Sequence, residues 1–229
     1  MGKKEKSLKS LTIYITYLII FWGFYRLLIK LPDQIEEVFI KPILWLLPLI
    51  YLLKIRKEKI SSLGISLKNL FPAIYLSLGL GSLFVFEGLL GNYLKYGGLN
   101  FSANLGDKLI FSSFGLSIVT AVVEEIAFRG YIFNRLWKIF GKEIPANLVT
   151  TFFWILIHVP IVIFVWKYPL LDSFIYLGLT AIFGAGSAFI FARTQNIVSS
   201  ILQTFGVFSR ELICVIMINY KSLTDYIFI

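Results

Sequence analysis

Histidine and cysteine occur once each in the 229-residue chain, as His158 and Cys214, and charged residues make up only 15% of it. A single thiol excludes an internal disulfide framework. A zinc site normally takes at least three protein ligands from His, Cys or carboxylate, so any such site here would have to lean on carboxylates. Charge this sparse does not cover a water-facing globular surface. Low-complexity tracts, a long polar linker and an internal repeat are also missing, which excludes disorder and solenoid arrays and leaves one domain over residues 1–229. What is abundant is apolar surface: 58% of the residues are hydrophobic, 22 are Phe, and the mean hydropathy is +0.81. The solvent implied is a lipid bilayer.

The net charge of +9 admits either nucleic acid or an anionic membrane surface. Position decides between them: Lys and Arg sit in short stretches between apolar runs, as topology signals do, and no nucleic-acid partner is expected. A helix crossing the roughly 30 Å hydrocarbon layer needs about 20 apolar residues. Seven stretches qualify, Leu11–Ile29, Val38–Leu53, Leu70–Leu90, Leu109–Phe128, Leu148–Trp166, Leu170–Ala192 and Ile197–Ile218. The last is interrupted by Arg210-Glu211 and could divide in two. The expected fold is therefore all-α, a polytopic transmembrane bundle of about seven or eight spans. Its second span is short and carries Lys41, Pro42 and Pro48, which suit a tilt or kink. Residues 33–37 and 99–107 read as outer loops. Most basic residues fall in segments 1–10, 54–69, 129–147 and 193–196, so the positive-inside rule puts these and the N-terminus in the cytoplasm. The first helix, preceded by Lys3, Lys4, Lys6 and Lys9, has no small-residue cleavage site after it and reads as an uncleaved span. The expected location is the cytoplasmic (plasma) membrane.

Ionisable groups inside a span cost about 3 kcal/mol each on insertion scales and so mark candidate sites. The fourth span ends in Glu124-Glu125-Ile126-Ala127-Phe128-Arg129-Gly130-Tyr131. At about 100° per residue, Glu125 and Arg129 share a face and can pair, while Glu124 points elsewhere and is left over. Snorkelling of Arg129 and Arg135 to the interface is the plainer alternative. His158 lies deep in an aromatic and aliphatic helix, either as a hydrogen-bonded interior residue or as a ligand beside a carboxylate from another helix. Gly178, Gly184 and Gly186 put small side chains on the sixth span, where close helix packing is the expected use.

Glu124-Glu125-x-x-x-Arg129-Gly-Tyr-x-Phe, followed by Trp154-x-x-x-His158, resembles the CPBP family of type II CAAX prenyl endopeptidases and their bacteriocin-immunity and abortive-infection relatives. The resemblance covers about residues 105–210. It implies an all-helical intramembrane metalloprotease fold in which Glu124 activates a water beside a metal, His158 is a ligand, and Glu125 and Arg129 orient the site. It also implies a third motif with a second histidine and, four residues later, an Asn or Asp. In this chain those positions fall on Gln203 or Thr204 and on Val207 or Phe208, and neither alignment restores the ligands. Cys214 lies about three helical turns past Gln203, roughly 16 Å, too far to substitute. His158, Glu124, Glu125 and Gln203 would make an oxygen-rich, weaker site for a divalent metal, zinc by resemblance.

Three functions follow as expectations. One is an endopeptidase cutting a peptide or protein near the cytoplasmic interface, and another is a degenerate relative that binds a partner such as a bacteriocin-like peptide. The third, a proton relay through Glu124, Glu125 and His158, has no inverted repeat to support it. Membrane lipids are partners in every case. A topology reporter inserted after Lys59 is expected to give a cytoplasmic signal; an outer-face signal would reverse the orientation.

Overall fold

The computed structural model describes residues 2–29, 31–98 and 110–204. Among these all regular structure is helical, with no strand. We number the continuous helices α1 (residues 3–28), α2 (residues 33–56), α3 (Leu70–Tyr96), α4 (residues 110–140), α5 (Glu143–Val165), α6 (Leu170–Thr194) and α7 (described over residues 197–204). Four stretches among the described residues are long and apolar enough to cross a membrane: Lys4–Leu28, Glu36–Arg56, Glu143–Val165 and Tyr176–Thr194. These are the expected first, second, fifth and sixth spans. The third appears as α3, whose Leu70–Leu83 portion is a shorter apolar helix. The fourth begins at Ile110 in α4. The seventh, Ile197–Ile218, lies outside the described residues after 204, as do Val207, Phe208, Arg210, Glu211, Cys214 and the expected loop at 99–107. Large apolar side chains such as Phe24, Leu47, Phe152 and Ile182 face outward, as lipid-facing residues do.

The segment Asp33–Glu37 differs from its expected form. It is helical and begins α2, with a wide π turn at Glu36–Ile40. The reason is charge pairing: Glu36 is buried against Arg26 of α1, and Glu37 also accepts from Arg26. Pro48 lies inside α2, which runs on to Arg56.

An aromatic string holds four helices together. Trp22 of α1 meets Trp45 of α2 edge-on at 5.5 Å, Trp45 lies 5.9 Å from Phe128 of α4, and Phe128 meets Trp154 of α5 edge-on at 4.7 Å. Each such pair adds about 0.5–1.5 kcal/mol beyond its buried area. Tyr14 extends it by donating to the Trp45 carbonyl oxygen at 2.9 Å.

The basic connection between α2 and α3 docks under α4 and α7. Asn134 Nδ2 donates to Ser62 O at 2.8 Å, and Arg135 donates to Glu58, Ser62 Oγ and the Gly130 carbonyl. Asn196 ties the same connection through Ser66 O at 2.9 Å and Lys68 O at 2.7 Å. Arg135 is thus buried and bonded, not snorkelling. Close approach at Gly130 makes this docking possible, since a Cβ there would lie 2.8 Å from Leu63 O, a backbone atom. Gly130→Ala is expected to destabilise the chain by about 1–3 kcal/mol through overpacking. Thermal unfolding in detergent checks this, and an unchanged midpoint would refute the close approach.

Candidate functional site

The two consecutive glutamates end the regular part of α4, after which Ile126–Phe133 widens into a π turn. Such turns are rare and frequent at functional sites. Being about 100° apart, the two side chains enter different surroundings.

Glu125 is fully buried and works as a hub. Arg129 Nη1 donates to its Oε1 at 2.9 Å, Thr204 Oγ1 donates to the same oxygen at 2.6 Å, and Ser187 Oγ donates to Oε2 at 2.9 Å. Arg129 is equally buried; its Nη2 donates to the Gly184 carbonyl at 3.0 Å and its guanidinium lies 4.6 Å from the Trp154 ring. The i, i+4 pair expected from sequence is present, and snorkelling does not account for Arg129. Gly184 allows the arrangement, because a Cβ there would fall 2.8 Å from Trp154 Cδ1.

Glu124, also buried, is not left over. Lys41 Nζ donates to its Oε1 and, at 2.7 Å, to Glu37 Oε2. Thr120 Oγ1 donates to the same Glu37 oxygen at 2.8 Å. The Lys41 ammonium also lies over the rings of Trp22, at 5.8 Å, and Trp45, at 5.3 Å. The unpaired Glu124 expected from sequence is corrected here, because α2 carries a lysine to it across the bundle. A lysine inside an apolar run, near its start, was itself the signal that a partner existed; its identity was not readable, since Lys41 and Glu124 are far apart in the chain.

His158 is half-buried, and its Nδ1–H donates to the Trp154 carbonyl at 2.7 Å. A carbonyl only accepts, so Nε2 carries the free lone pair. The imidazole ring lies 4.8 Å from the Trp154 ring, which itself meets Phe128 and Arg129 of α4. The glutamate pair of α4 and the histidine of α5 therefore share one interior region, joined by Phe128, Trp154 and Arg129.

Gln203 is buried, and neither of its amide atoms has a hydrogen-bond partner among the described residues. Its Nε2 faces Gly186, where a Cβ would come within 3.2 Å. Thr204, the other candidate for the third motif's histidine position, is the residue that reaches Glu125. The donors do not fit a zinc ion. Among the described residues no three His, Cys, Asp or Glu side chains converge as a metal-ligand group, and Glu124 is engaged by a lysine.

Residues 106–206 match the family model of the type II CAAX prenyl endopeptidase Rce1-like proteins. The matched stretch contains Glu124, Glu125, Arg129, His158, Gln203 and Thr204. Over that stretch, somewhat under half of the chain, the match supports a CAAX-protease-like kinship, and the four long apolar helices suit an integral membrane protein. No curated protein and no solved structure matches the chain.

Breaking a buried ion pair by removing one partner costs about 3–5 kcal/mol, because the other charge is left uncompensated. Arg129→Met is expected to lose stability on that scale, and adding Glu125→Gln is expected to restore a large part of it. Additive losses in this double-mutant cycle, read by thermal or denaturant unfolding, would show the pair to be uncoupled.

Proposed function

We propose that the chain is a CPBP-type intramembrane endopeptidase that acts on a peptide or protein segment near the cytoplasmic end of the bundle, in the plasma membrane, with its N-terminus inside. The observation that carries this reading is the packing of the His158 ring on Trp154, which meets Phe128 and Arg129 of the helix that bears Glu124 and the Glu125–Arg129 hub. In this reading Glu124 exchanges its bond to Lys41 for one to water and takes a proton as the water oxygen attacks the scissile carbonyl carbon. The carbon–nitrogen bond then breaks, and the proton passes to the departing amine. His158 Nε2 accepts a hydrogen bond that orients the water. No step runs through a metal.

A second reading is favoured by the Lys41–Glu124 pair, which ties up the base in the resting state. In it the chain is a relative that holds a peptide, as in bacteriocin self-immunity, without cutting it.

The test is to incubate the full chain in liposomes with a peptide mixture that includes farnesylated CAAX peptides, and to read new termini and photo-crosslinked peptides by mass spectrometry. Cleavage products are expected from the wild type and at least about 10²-fold fewer from Glu124→Gln. Peptides that crosslink to the wild type but yield no Glu124-dependent termini would replace the first reading with the second.

A further inference from the structure

Around Glu124 the structure gathers five charged side chains: Arg26 and Lys41 against Glu36, Glu37 and Glu124. They come from α1, α2 and α4, and all but Arg26 and Glu37 are more than nine-tenths buried as residues. Lys41 sits at the centre, touching both Glu37 and Glu124.

The oxygens nearest the ammonium are carboxylate atoms from two helices, and Thr120 adds a hydroxyl to the Glu37 oxygen that Lys41 touches. Oxygen donors of this kind suit hard cations such as Mn²⁺ or Mg²⁺ better than zinc. Two cations face three carboxylates, so one negative charge is in excess. Exchanging the single charge of Lys41 for a divalent ion would bring the cluster to balance with Arg26. A tethered ammonium needs no capture from solution, and the faces of Trp22 and Trp45 add cation–π attraction to it.

We propose that Lys41 is a built-in cation: its ammonium takes the place beside Glu37 and Glu124 that a divalent metal ion would fill, and closes that place to metal. This does not depend on whether the site cleaves its peptide or only holds it.

The test uses the full chain in detergent, with Mn²⁺ alone as the probe, read by bound manganese and by the Mn²⁺-dependent shift in unfolding midpoint. Wild type and Glu124→Gln are expected to hold no stoichiometric manganese and to show no shift. Lys41→Gln is expected to gain about one ion per chain and a shift to higher temperature, as a ligand selective for the folded state produces. Both gains are expected to vanish in Lys41→Gln with Glu124→Gln. If Lys41→Gln does not fold, Lys41→Gln with Glu36→Gln keeps both carboxylates that faced the ammonium and restores the original charge balance, and the same gain is expected of it. A wild-type chain that holds one manganese lost in Glu124→Gln would overturn the proposal, and so would a folded Lys41 variant that takes up none.

Discussion

The buried pair of Glu125 and Arg129 is the constraint on which the rest of the interior depends. A bilayer offers no water to either charge, so each must be satisfied by protein. Glu125 is met by Arg129, Ser187 and Thr204, and Arg129 by Glu125, the Gly184 carbonyl and the Trp154 face. These partners lie on α4, α5, α6 and α7. One ion pair thereby sets how four helices approach one another, and the small residue at position 184 follows from it, because Trp154 lies where a Cβ would stand.

Glu124 answers the same constraint by a different route. Its partner comes from α2, and satisfying Lys41 in turn draws in Glu37, Thr120 and Arg26. Two adjacent glutamates therefore divide the interior into a closed brace and a more loosely balanced charge cluster. The aromatic string from Trp22 to Trp154 fixes the distance between the two, since Lys41 lies over one end and Arg129 over the other.

Gln203 and Thr204, adjacent in the chain, meet different surroundings. Thr204 contributes one hydroxyl to the Glu125 hub, while Gln203 brings a buried amide with no partner among the described residues. An unsatisfied buried amide costs about 1–3 kcal/mol. Neither residue offers a donor of the kind a zinc centre uses.

The order of residues along the chain pointed to a bilayer as solvent and to helix as the secondary structure, because both follow from the length and continuity of apolar runs. The Glu125–Arg129 pair was legible for a similar reason: it lies within one helical turn, where spacing dictates contact. Residues 124, 125, 129 and 158 could be picked out as charged or titratable groups in apolar surroundings. The partner of Glu124 could not, nor could the roles of Ser187 and Thr204 or the helical form of residues 33–37. Each of these rests on a contact between helices distant in sequence, and periodicity reports which face of a helix is apolar without saying which neighbour it meets. Only the tertiary structure decided that Lys41 lies beside Glu124, because that contact depends on how α2 crosses α4.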